Sequence, residues 1–244
     1  MNWITTDEIW GLLISFGFVF AVIAIATVCG KLFKLRPETT RKIVHIGVGN
    51  WILLAPLLFV HWYIAIIGPV CFIILNTLSY YRNIFPAMEL QRSNSGTIYY
   101  SVALTLIVAF FWLRTDQVYW LRDLRPFAVV GILAMAWGDG MASVFGEKWG
   151  KKLAIDFGST RKSLAGSLAM FVFAFLAIFL ATHIYAATNP LFLPGYSLEQ
   201  NLLYCALTAL VATAVEFIPS RGFDNLFVPI ISGLVYYLLN TGII

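Results

Sequence analysis

Eight stretches of mostly apolar residues recur along this 244-residue chain, at roughly 9–30, 43–60, 62–81, 97–113, 126–146, 164–186, 200–218 and 226–243. Each is about as long as the 20 or so residues a helix needs to cross the hydrocarbon of a bilayer. In lipid every backbone polar group must find its partner internally, which leaves helices or closed barrels. The ten-residue alternating pattern of a membrane barrel is missing. With 60% hydrophobic and only 11% charged residues, the chain cannot present an ordinary soluble surface. The expectation is therefore an all-α, polytopic membrane bundle of about eight transmembrane helices. Loops of at most about 20 residues leave no room for a soluble domain, so residues 1–244 form a single domain.

Orientation follows from the Lys and Arg residues. Those after the first, third, fifth and seventh segments number thirteen, Lys31, Arg41, Arg82, Lys148 and Arg221 among them, whereas the opposite loops hold only Arg114, Arg122 and Arg125. The positive-inside bias puts the basic loops in the cytoplasm and both termini outside. Trp3, Trp10, Trp62, Tyr63, Trp112, Tyr119 and Trp120 fall at the expected outer boundaries, as interfacial anchors do. This orientation also accounts for the formal charge of +4 without a nucleic-acid partner. Asp7 and Glu8, with no base ahead of the first segment, have the wrong sign for a secretory leader, so that segment is expected to stay as a span. Cys29, Cys71 and Cys205 lie singly in apolar runs and read as small hydrophobes. Asp7, Glu8, Asp116, Asp123 and Glu199 sort into outer loops of no evident chemistry, and His61 and His183 into structural positions at outer span ends.

The stretch from Trp137 to Ser167 breaks this pattern with acids, bases and glycines. Asp139 follows a dozen uncharged residues, and an ionisable group so placed faces a protein interior or a cavity and reads as functional. Glu216 is comparably deep in apolar sequence. Two carboxylates at the inner ends of different spans, near Lys151, Lys152 and Arg161, are the ingredients for binding Mg²⁺ and a polyphosphate. Gly138, Gly140, Gly146 and Gly150 suit backbone N–H groups approaching phosphate oxygens; they equally suit close helix packing, and the sequence leaves both open. A Walker loop is not supported, because Gly146 and Gly150 have only three residues between them. Lys162 and Ser163 open the sixth span, where a helix N-terminus makes a phosphate clamp. Arg41 and His45, four apart, share a helical face with Lys42 beside them. Pro219 and Gly222 turn the chain so that Glu216 and Asp224 converge, with Asn225 alongside.

Four motifs together resemble the CTP-dependent lipid kinases: dolichol and polyprenol kinases, phytol kinases and CTP-using diacylglycerol kinases. They are R-K-x-x-H at Arg41, Lys42 and His45; G-D-G-x-A-S-x-x-G-x-x-x-G-K, containing Gly138, Asp139, Gly140, Ser143, Gly146, Gly150 and Lys151; K-S-x-x-G-S at Lys162, Ser163, Gly166 and Ser167; and Glu216 followed by Asp224-Asn225. The resemblance implies a cytoplasmic-facing site that moves the γ-phosphoryl of CTP, or of UTP, onto a membrane lipid alcohol such as phytol or a polyprenol, with diacylglycerol the alternative acceptor. Asp139 would hold Mg²⁺ with Glu216, the basic and glycine-rich loop would grip the triphosphate, and Lys162 and Asp224 would join the catalytic set. The phosphatidate cytidylyltransferases are more distantly similar. Their longer acidic signature is replaced here by P-S-R-G-F-D, which makes transfer of a whole CMP unit the weaker reading. An ion-coupled transporter fits less well, since the polar groups gather at one face and not at mid-membrane.

Overall fold

The computed structural model describes residues 6–82, 96–118, 122–150, 154–156, 161–218 and 222–242. The chain runs through helices α1 (Thr6–Leu32) and α2 (Pro37–Gly49), a 3₁₀ turn at Asn50–Leu53, α3 (Ala55–Leu58), α4 (Trp62–Ala65), α5 (Ile67–Arg82) and α6 (Gly96–Val118). It continues through α7 (Arg125–Leu133), a π-helical stretch (Ala134–Asp139), α8 (Gly140–Trp149), a two-stranded ribbon of β1 (Ala154–Asp156) and β2 (Arg161–Ser163), then α9 (Leu164–Thr188), α10 (Leu198–Phe217) and α11 (Asp224–Thr241).

Among the described residues, six helical stretches are long and apolar enough to cross a membrane: Thr6–Leu32, Trp62–Tyr81, Gly96–Thr115, Arg125–Trp149, Leu164–Thr188 and Leu198–Phe217. The expected second span, 43–60, is not one helix. It tightens into the 3₁₀ turn after Gly49, and α3 restarts with Pro56 in its first turn, where the missing N–H is no loss. The expected eighth corresponds to α11, which carries Pro229 inside it. The all-α expectation also missed the ribbon, in which Ala154 pairs with Ser163 and Asp156 with Arg161, antiparallel.

The bundle is organised around α7. From Pro126 to Leu133 every residue is buried, while the most apolar stretch of α1 is only 17% buried. Close packing of α7 depends on small residues, as expected where helices associate without a hydrophobic drive. A Cβ at Gly131 would strike the Pro229 carbonyl of α11 and the Ile107 side chain of α6. Phe111, Phe127, Tyr236 and Tyr237 interlock around the same crossing, with ring centroids 5.3 to 5.8 Å apart.

Local signals set the helix ends. Ser163 caps α9 by accepting from the Gly166 N–H at 3.1 Å, and Ser197 caps α10. Gly242 ends α11 in the left-handed region at φ +68°. Gly222, at φ +97°, makes the turn that starts α11; Pro219 lies outside the described residues, as do Trp3, Tyr119, Trp120, Arg92, Lys151, Lys152 and Arg221.

The expectation of unremarkable outer-loop acids is corrected at two positions. Glu8 is 1% exposed; it accepts from the backbone N–H groups of Val60 and His61 and pairs with the His61 ring at 2.8 Å, tying α1 to the start of α4. Asp123 is also buried. It accepts from Arg125 Nε and Nη2 at 2.9 Å each and from Asn189 Nδ2 at 2.7 Å, while Arg125 donates on to the Phe59 carbonyl. Desolvation forces such acids to be paired, so both act as structural ties at the end of the bundle opposite Asp139.

Candidate active site

Asp139 stands where the π-helical stretch passes into α8. The helix runs through the glycines flanking Asp139 by way of one widened turn, a feature frequent at functional sites. Of the two uses left open for Gly138 and Gly140, their contacts display close packing. A Cβ on Gly138 would meet the Met170 side chain and one on Gly140 would meet Ile46, so these glycines let α9 and α2 close on the Asp139 turn. Trp137 donates from Nε1 to Asn50 Oδ1 at 2.9 Å, fixing the same turn to the end of α2.

Three elements carry carboxylates to one point. The end of α10 brings Glu216, the start of α11 brings Asp224, and an oxygen from each lies within 4.8 Å of the others and of one from Asp139. Cations face them. Lys42 Nζ of α2 is 2.9 Å from Asp139 Oδ2, and His45 Nε2 is 3.6 Å from the same oxygen. Lys162, the residue before the α9 cap, bonds to Glu216 and lies 3.9 Å from Asp224 Oδ2. All of these groups are at least four-fifths buried. Three acids against two lysines leave the cluster one negative charge in excess, in a setting that screens poorly. Hard oxygen donors so gathered suit a divalent cation, and the lysines are placed to follow the anion such a cation would bring.

Around this cluster opens a cavity of about 650 Å³. Arg41, Ser143, Gly146, Gly150, Ser167 and Asn225 line it. Gly146, Gly150 and Gly166 crowd the Ser163 hydroxyl, which a Cβ on any of them would approach, so the loop and the head of α9 are locked together. Ser167 keeps a buried hydroxyl with no partner among the described residues. Asn225 is held by its own turn, donating from Nδ2 to the Gly222 carbonyl at 3.3 Å. Arg36 and Glu147 pair at 2.6 Å on the exposed rim, where an ion pair adds little stability. Lys151 and Lys152 lie outside the described residues; Arg161 is described as backbone in β2.

Sequence reasoning missed the far part of this cavity. There Asn76 of α5 donates to Ser101 Oγ of α6 at 2.8 Å, and Tyr100 faces His45 with ring centroids 5.2 Å apart. Lone amides and hydroxyls in apolar helices carry no spacing signal, and only the packing of α5 on α6, with Tyr100 against His45, aims them inward.

The chain is similar to several named proteins. A phytol kinase from Synechocystis sp. (strain ATCC 27184 / PCC 6803 / Kazusa) is 34% identical over 220 residues, covering 89% of this chain and 86% of its own. The chain belongs to the CTP-dependent lipid kinase family. Phytol kinase 1, chloroplastic, from Arabidopsis thaliana is 28% identical over 219 residues, 84% of this chain and 67% of the relative. CTP-dependent diacylglycerol kinase 1 from Schizosaccharomyces pombe is 28% identical over 166 residues, 66% and 68% of the two chains. No family model matches the chain, and no solved structure matches it.

Proposed function

We propose that this kinase transfers the γ-phosphoryl group of CTP to the hydroxyl of a membrane isoprenoid alcohol, phytol foremost, with Mg²⁺, in an eight-segment bundle whose site faces the cytoplasm. The observation that carries the reading is the convergence of Asp139, Glu216 and Asp224 against Lys42 and Lys162 at one end of the bundle. Phosphoryl transfer asks a protein mainly for positioning and charge neutralisation, and these groups supply both without a covalent nucleophile. Asp139, Glu216 and Asp224 would hold the metal, which would neutralise charge on the triphosphate. Lys42, Arg41 and Lys162 would bind the remaining phosphate oxygens, and Ser167 offers a free hydroxyl to the same anion. The bond from acceptor oxygen to γ-phosphorus forms, the bond from γ-phosphorus to the β–γ bridging oxygen breaks, CDP leaves with the electron pair, and one proton is released to water.

The preference for phytol over diacylglycerol rests on the relatives, whose names include several phytol kinases and one diacylglycerol kinase. The test is positional labelling. Purified protein in vesicles with phytol should move label from γ-labelled CTP into the lipid and release CDP, while α-label stays with the nucleotide. Appearance of α-label in the lipid together with pyrophosphate would instead establish a CDP-lipid synthase.

A further inference from the structure

The cavity does not stop at the carboxylates. An arm of it continues between α1, α2, α5 and α6, walled by Val19, Val48, Phe72 and Leu104. Val19 sits at the centre of the 27-residue α1, thirteen residues from either end and so about 20 Å along the axis. That is hydrocarbon depth, where a charged nucleotide would be strongly disfavoured and an alkyl chain is at home. Between this apolar end and Asp139 lies a short polar band. The Tyr100 hydroxyl and His45 Nε2 are both buried, and both lack a hydrogen-bond partner among the described residues. Buried polar atoms without partners are rare and costly, and here two line one cavity beside the reacting groups. His45 Nε2 also lies 3.6 Å from Asp139 Oδ2, so a group held between it and the Tyr100 hydroxyl sits next to that carboxylate. A phenol hydroxyl and an imidazole nitrogen together match one alcohol group, which accepts one hydrogen bond and donates another.

We infer that the arm between α1, α2, α5 and α6 is the acceptor site, holding the chain of a long, single-tailed alcohol while Tyr100 and His45 hold its hydroxyl beside Asp139. The inference rests on the lipid-kinase reading above and assigns it a place and two positioning residues. Asn76 and Ser101, satisfied by each other and by the Thr97 carbonyl, brace α5 against α6 at the level of the hydroxyl. Leu104 lies deeper along the wall, where it meets the tail.

The test uses the full-length protein in vesicles, Mg²⁺-CTP, and two isoprenoid alcohols of twenty and ten carbons. Tyr100→Phe, which keeps the ring and removes the donor, should raise KM for both alcohols roughly five- to tenfold. Leu104→Trp should raise KM for both alcohols by roughly tenfold or more, because residue 104 lies one helical turn, about 6 Å, beyond Tyr100 and both tails reach that far. KM for CTP should hold within about twofold in both variants, which also certifies that they are folded. Unchanged lipid KM in both variants would overturn the arm assignment alone, and so would a rise in the KM for CTP, since the arm would then belong to the nucleotide. Wild-type protein that phosphorylates neither alcohol would instead remove the isoprenoid reading, and this inference with it.

Discussion

Replacing Asp139 by Asn separates what this carboxylate does for folding from what it does for chemistry. The amide is nearly isosteric, so the close contacts of Gly138 with Met170 and of Gly140 with Ile46 are kept. What changes is the bond to Lys42 at 2.9 Å, which becomes one between a cation and a neutral amide. The bond remains one to a charged group, worth about 1.5–3 kcal/mol, and the substitution removes the excess negative charge of the cluster, so folding should change by no more than about 1 kcal/mol. Chemistry should lose far more. Removing one preorganised charge-stabilising group from a water-poor site costs about 2.7–4 kcal/mol of transition-state stabilisation, a fall of roughly a hundred- to a thousandfold. The assay is initial-rate transfer from γ-labelled CTP to phytol in vesicles, beside thermal inactivation of the same preparation. Turnover above a tenth of wild type, or a loss no larger than the drop in folded protein, would refute the role given to Asp139.

Two further substitutions test the scaffold. Gly131→Val should destabilise the bundle by about 1–3 kcal/mol, because a Cβ there meets Pro229 and Ile107; a lower inactivation temperature in detergent with normal KM at low temperature is the expected pattern. Glu8→Ala orphans the Val60 and His61 N–H groups at the end of the bundle opposite Asp139. It should cost roughly 1–3 kcal/mol of stability while leaving KM for CTP unchanged.

Where sequence reasoning succeeded and where it failed has a physical pattern. Asp139 and Glu216 stood out because a charge in apolar sequence is expensive, and the structure brings both to one cluster with Asp224. The bundle itself was legible from segment length. Glu8 and Asp123 were misjudged because an acid at a span end looks solvated until the loop that buries it is known. Gly138 and Gly140 were ambiguous between two uses of a missing Cβ, and the approach of Met170 and Ile46, which displays the packing use, is invisible in the sequence. Tyr100, Ser101 and Asn76 were invisible for another reason. Their partnership joins different helices, and nothing in the local pattern of α5 or α6 says which face looks into a cavity. The β1–β2 ribbon escaped notice because three-residue strands are too short to show a period.

The central claim is that Asp139, Glu216 and Asp224 together hold one divalent cation with the nucleotide. Titrating the purified protein with Mn²⁺ in the presence of CTP, followed by electron paramagnetic resonance, addresses it most directly. The account predicts one bound Mn²⁺ per chain that depends on CTP, is displaced by excess Mg²⁺, and weakens at least roughly tenfold in Asp139→Asn and in Glu216→Gln. Mn²⁺ binding that is unaltered in both variants would contradict it.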